Sequence, residues 1–176
     1  EKIVGSLAES GGSLQECKTL GEKVNQNSGS MGVAFSSCTV PAAGKPTFEL
    51  GADEMEFGVG IHGEPGRRRD KIKPAQDITN ELLEAIIEDL KPNSNEETLL
   101  FVNGMGGTPL TELYLVFENA KKLLDSKKIK ISRSLVGNYC TSLEMQGASI
   151  TLTKLDEEIA KHWDSKVHTA AIRWGM

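Results

Sequence analysis

Cysteine is scarce in this chain. There are three, Cys17, Cys38 and Cys140, an odd number with no close pair. No C-x-x-C occurs, which excludes a zinc knuckle and a disulfide framework of the small secreted kind. Reduced, buried thiols in a cytoplasmic protein are expected. No apolar stretch approaches the roughly 20 residues of a membrane-spanning helix. The first residues, Glu1-Lys2-Ile3-Val4-Gly5, lack the long apolar stretch of a signal peptide. No initiator methionine precedes Glu1, so a processed or truncated end is expected there. Basic charge is also in short supply. The formal net charge is -5, against the basic face that a general nucleic-acid binder needs. Arg67, Arg68, Arg69 and Lys71 form a cluster too short to change that balance, and it reads as a solvated turn. A G-K-S/T phosphate loop is missing, as are internal repeats and low-complexity tracts.

What remains has ordinary globular composition: 176 residues, 38% hydrophobic and 26% charged, enough for one domain with its own core. Ser6 to Asn27 reads as helical, broken at Gly11-Gly12, with Ser13 as the cap of the second piece. Asn25 to Gly32 is small and polar, a loop. Met31 to Val40 has strand character and stops at Pro41, followed by a turn over Ala42 to Pro46. Met55 to Ile61 alternates apolar residues with Glu56, Gly58 and Gly60, the period of a half-buried strand. Ile72 to Lys91 carries an apolar stripe from Ile78 to Leu90, a helix with Pro74 near its start. Thr98 to Asn103 is a buried strand. Gly104 to Gly107 turns the chain, and Thr108 is placed to cap a helix with Pro109 at its first position. Lys130 to Val136 and Ala148 to Leu155 are further strands. Asp156 to Trp163 is a short helix, and Thr169 to Trp174 a last extended segment. Strands mixed with helices make this an α/β or α+β domain, with the strand pairing not legible.

The segment G-V-G-I-H-G-E-P-G, Gly58 to Gly66, concentrates the chemistry. It contains G-x-G-x-x-G, but two of those glycines fall inside the expected strand and Pro65-Gly66 breaks the chain before any helix, so a dinucleotide site is excluded. His62 and Glu64 form H-x-E, but the downstream P-C-x-x-C of zinc deaminases is missing. A lone histidine at a strand end remains. Gly60 and Gly63 have no side chains to keep a small ligand away. Glu64 can bring charge, and Pro65-Gly66 can hold the turn. From these residues alone, a structural, hydrogen-bonded histidine is the more common outcome. His162 and His168 read as structural or surface residues. Asn103 to Thr108, the second glycine-rich turn, lies between a strand and a helix. It is either an anion site or simply a tight connection, the commoner case.

Taken together, several long strings resemble one family. C-T-V-P-A-A-G-K-P-T-F-E-L (Cys38 to Leu50), D-E-M-E-F-G-V-G-I-H-G-E-P-G (Asp53 to Gly66), N-G-M-G-G-T-P-L-T-E-L-Y (Asn103 to Tyr114), G-N-Y-C-T-S-L-E-M-Q-G-A-S-I-T-L (Gly137 to Leu152) and A-A-I-R-W-G (Ala170 to Gly175) are similar, in this order, to dihydroxyacetone kinase K subunits. The resemblance implies an α/β fold, a mixed β-sheet packed with helices, matching the second domain of a two-domain subunit. Residues 1–30 would be a helical lead-in and 31–176 the substrate-anchoring domain. It implies that His62 is both the catalytic and the substrate-binding residue, adding through Nε2 to the carbonyl of dihydroxyacetone to form a hemiaminal. No cofactor or metal is expected in this chain. ATP or ADP with Mg belongs on a partner L subunit or domain, and the general base on the missing first K domain. A homodimer is expected, with no nucleic acid or membrane partner. Two other readings stay open: a non-catalytic dihydroxyacetone-binding regulator or co-activator of the same family, and a purely structural domain.

Overall fold

A computed structural model describes residues 1–63 and 66–175. The helical opening is two pieces, α1 (Lys2–Glu9) and α2 (Leu14–Gln26). Gly11, at φ +92°, makes the break, a conformation that suits glycine. Ser13 caps α2 in a capping box: its hydroxyl accepts from Glu16 N at 3.3 Å, and Ser13 N donates to Glu16 Oε2 at 2.7 Å. The chain then builds β1 (Ser28–Ala34), β2 (Glu54–Phe57), β3 (Arg68–Lys71), α3 (Ala75–Leu90), β4 (Glu97–Gly104), α4 (Leu110–Ser126), β5 (Lys130–Gly137), β6 (Gly147–Lys154) and α5 (Glu157–Asp164). A short hairpin of β7 (Val167–His168) and β8 (Arg173–Trp174) follows.

Six strands form one mixed sheet in the order β3-β2-β1-β6-β4-β5. Only β4 and β5, joined through α4, run parallel; the other pairs are antiparallel. Side chains alternate across a strand, and the two faces have different covers. Val33, Leu100, Val102, Ile150 and Leu152 point to one face and pack under Ile78, Leu82, Leu83 and Ile86 of α3 and Leu113 and Leu124 of α4. On the other face Leu99 packs with Ile3, Leu20, Ile159 and Trp163, from α1, α2 and α5. These helices cover only one end of that face. Farther along β4, on the same side as Leu99, Phe101 and Asn103 border a cavity instead.

Four sequence expectations are corrected. The loop expected over Asn25 to Gly32 is strand from Ser28: Ser28 and Ser30 face Thr153 and Thr151 of β6, hydroxyl to hydroxyl, at 2.8 and 2.7 Å. A polar, small-residue strand has no apolar period to announce it. The strand expected over Met31 to Val40 ends at Ala34, where Phe35 N and Ser36 N both turn to Gln146 O. The strand over Met55 to Ile61 ends at Phe57. Gly58, at φ +81°, leaves the sheet, and Val59 is buried with Cys38, Met105 and Met145 rather than alternating across a strand. Of the basic cluster, Arg68, Arg69 and Lys71 lie on edge strand β3 rather than in a turn, with Arg67 just before it. Its charges suit an edge that must not pair further.

Candidate functional site

His62 sits in the connection between β2 and β3, exposed to solvent. Among the described residues no side chain hydrogen-bonds its ring. Glu64 and Pro65, which the sequence offers as a nearby charge and a turn-former, lie outside the described residues. The connection is pinned at several points. At its start Gly58 N donates to Gly32 O at 2.7 Å, and Val59 is buried beneath it. In the middle Gly63 N donates to Gly60 O at 3.3 Å, closing a tight turn around Ile61 and His62. Gly63 is buried at φ +73°, and its carbonyl accepts the hydroxyl of Thr47 at 2.9 Å. At its end Gly66 N donates to Glu56 Oε1 at 3.1 Å and Arg67 N to Phe57 O at 2.6 Å. A Cβ on Gly66 would lie 2.0 Å from Phe57 O, so only glycine fits there.

Charge holds the far side. Glu56 is buried, and its second oxygen accepts from Arg69 Nε at 3.0 Å. Arg68 pairs with Glu81 of α3, and the hydrogen bond from Arg68 outweighs the opposing effect of burial and, with Lys73, holds the Glu81 carboxyl below its usual range. These pairs tie β3 to β2 and to α3.

A cavity of about 350 Å³ opens beside the turn on the uncovered part of the sheet. Gly60 and Ile61 form part of its rim, and Ser30, Ser149, Thr151 and Phe101 part of its wall. His62 flanks this cavity without lining it.

The second glycine-rich turn is a tight connection. Its amides already have protein partners: Met105 N donates to Gly147 O, Gly106 N to Asn138 Oδ1, and Gly107 N to Met145 O. The recess at the start of α4 has Glu112 on its wall, which repels an anion. Thr108 does not cap α4. It is buried, donating to Gly147 O and accepting from Gly147 N, both at 2.8 Å. Pro109 stands at the cap position with no side-chain bond. The expected cap is therefore a clasp between the turn and β6.

The remaining sequence candidates fall into place outside the site. His162 is buried, its Nδ1 3.0 Å from Ser6 Oγ, so it joins α5 to α1. His168 accepts from Arg173 Nε at 3.0 Å across the terminal hairpin. Of the cysteines only Cys38 is buried; Cys17 is half-buried and Cys140 exposed, which corrects the expectation of buried thiols throughout. Among the described residues no helix is long and apolar enough to cross a membrane, and no group of three or more His, Cys, Asp or Glu side chains is placed to hold a metal. Sequence reasoning missed Ser37, Thr47 and Glu56 as holders of the His62 turn. Thr47 and Ser37 lie within or beside a quoted family string, but nothing in that string says which backbone they would meet.

Residues 1–171 match the Dak1 domain family model. The chain is 48% identical over 157 residues to the dihydroxyacetone-binding subunit DhaK of PTS-dependent dihydroxyacetone kinase 1 from Listeria innocua, covering 89% of this chain and 48% of that protein. It is 41% identical to the dihydroxyacetone-binding subunit DhaK of the PEP-dependent kinase of Escherichia coli, covering 99% of this chain and 56% of that protein. Among solved structures, the dihydroxyacetone kinase operon co-activator Dha-DhaQ superimposes with a TM-score of 0.86 at 33% identity, over 94% of this chain and 51% of that one. The chain thus spans about half the length of the relatives it matches.

Proposed function

The chain belongs to the Dak1 domain family, and from that premise we propose that it anchors dihydroxyacetone covalently through His62 for phosphorylation. What carries the reading is one observation: His62 stands exposed on a pinned turn, in a chain similar to subunits named for binding this ketone.

His62 reacts as the neutral imidazole with its proton on Nδ1. The Nε2 lone pair forms a bond to the carbonyl carbon, and the C=O π pair moves onto oxygen. That oxygen takes up a proton while Nδ1 releases one to solvent, so the product is the neutral hemiaminal and no atom is lost. Glycerol offers similar hydroxyls but no carbonyl. It is refused by reactivity, where a pocket alone discriminates weakly between small polyols. The bond also fixes the terminal hydroxyl in space, and positioning supplies much of the rate in phosphoryl transfer.

In this reading residues 31–176 carry the anchoring domain and residues 1–30 lead into it. The remaining half of a two-domain K subunit supplies the general base, and a partner L subunit or domain holds ATP or ADP with Mg. The subunit works as a cytoplasmic homodimer. The likeness to the co-activator favours a second reading, a dihydroxyacetone-binding regulator with no kinase activity, which uses the same histidine.

The test is mass spectrometry of the full-length protein incubated with dihydroxyacetone. The expected result is a species heavier by one whole ketone, absent with glycerol and absent in His62→Ala. An adduct that persists in His62→Ala disposes of the assignment. Turnover with added L subunit and ATP then separates kinase from regulator.

A further inference from the structure

We propose that Thr47, oriented by Ser37, is the positioning residue for His62. The proposal deepens the reading of His62 as the anchoring residue and rests on it.

Proton counting fixes the direction of the bond from Thr47 to the turn. The Thr47 hydroxyl has one proton, and it donates to Gly63 O at 2.9 Å. The single Ser37 proton faces two acceptors, Thr47 Oγ1 at 2.9 Å and Cys38 O at 3.1 Å. Ser37 Oγ in turn accepts Thr47 N at 3.0 Å and Phe48 N at 3.2 Å. The relay is one of contacts: two amides fix Ser37 Oγ, Ser37 Oγ lies against Thr47 Oγ1, and the Thr47 hydroxyl donates to the carbonyl of the residue that follows His62. Its members are brought together by the bridge Thr39–Pro46 and by Thr47 N donating to Cys38 O at 3.2 Å.

The relay adds a second hold on the turn beside the bond from Gly63 N to Gly60 O. Gly60 and Gly63 flank Ile61 and His62, and glycine adds no rigidity of its own. Gly63 rests directly on the relay: a Cβ there would lie 2.8 Å from Cys38 Sγ and 2.9 Å from Thr47 Oγ1. Addition to a carbonyl requires Nε2 at near-attack distance and angle, and small displacements of a reacting group are costly. Freeing the Gly63 carbonyl lets the imidazole wander from that position. Thr47 acts through the backbone and touches no substrate.

The bland alternative is that Ser37 and Thr47 only close the loop between them. Three variants of the full-length protein separate the two: Thr47→Val, which keeps the branched shape and removes the hydroxyl, Thr47→Ser, which restores it, and Ser37→Ala. The readout is the ketone concentration that half-saturates the His62 adduct by mass spectrometry, measured beside the thermal midpoint. Thr47→Val is expected to raise the half-saturating concentration about fivefold to tenfold, on the order of one lost hydrogen bond, and Thr47→Ser to return it to within about twofold. Ser37→Ala, which leaves Thr47 in place without its orienting partner, moves it the same way and serves if Thr47→Val does not fold. Unchanged half-saturation in folded Thr47→Val or Ser37→Ala, or no rescue by Thr47→Ser, overturns the proposal while leaving His62 as the anchor. A wild-type protein that forms no adduct overturns the His62 reading itself, and the proposal with it.

Discussion

The two glycine-rich turns, Gly58 to Gly66 and Gly104 to Gly107, look alike in composition and do opposite things. In the second, glycine exists to let backbone in. A Cβ on Gly104 would lie 2.1 Å from Asn138 Oδ1, on Gly106 1.9 Å from Leu143 O, and on Gly107 2.5 Å from Glu144 O. Met105 between them is buried. The turn is filled by its own protein. In the first, Gly58, Gly63 and Gly66 are likewise pressed against neighbours, but among the described residues a Cβ on Gly60 would meet only His62 N, at 3.7 Å. That space adjoins the exposed histidine and the sheet-face cavity. A glycine-rich string therefore marks a close approach without saying whether a ligand or the chain itself approaches.

The largest expected effect separates the turns by function. His62→Ala should abolish the ketone adduct altogether while changing unfolding free energy by no more than about 0.5 kcal/mol, since an exposed side chain is lost; parallel adduct and urea-unfolding measurements check both halves. Gly106→Ala should act the other way, destabilising by about 4 kcal/mol or by enough to prevent folding. It adds a side chain at φ +118° against a carbonyl, so strain and overpacking combine. Thr108→Val is next, at about 1–3 kcal/mol by denaturant unfolding, because it leaves Gly147 N–H without its buried acceptor, while Gly147 C=O keeps Met105 N. Gly60→Ala is the smallest: near zero or slightly stabilising, as expected where the added methyl is unobstructed and the unfolded chain loses freedom. A Gly60→Ala loss as large as that of Gly106→Ala breaks the comparison, because it would show both turns to be packed alike.

Legibility followed the same division. Helices α3 and α4 announced themselves because a single buried stripe repeats every three or four residues. The N-cap of α2 was visible in Ser13 because caps are local. Strand β1 was half lost because its outward residues, Ser28 and Ser30, find their partners on β6 rather than in a neighbouring apolar residue. Thr108 was misread for the same reason. Its position before Pro109 is that of a cap, but Gly147, 39 residues away, competes for its hydroxyl and wins. Around His62 the flanking glycines were readable, whereas the contacts of Ser37, Thr47 and Glu56 were not.

The order of residues by itself determined the helices, the strongly apolar strands and a histidine placed between two glycines, because each depends on near neighbours in the chain. Only the tertiary structure decided the strand order, which half of a sheet face stays open, and which hydroxyls hold the histidine's turn. Those choices rest on hydrogen bonds between groups distant in sequence. Such partners are selected by packing, and no local pattern encodes them.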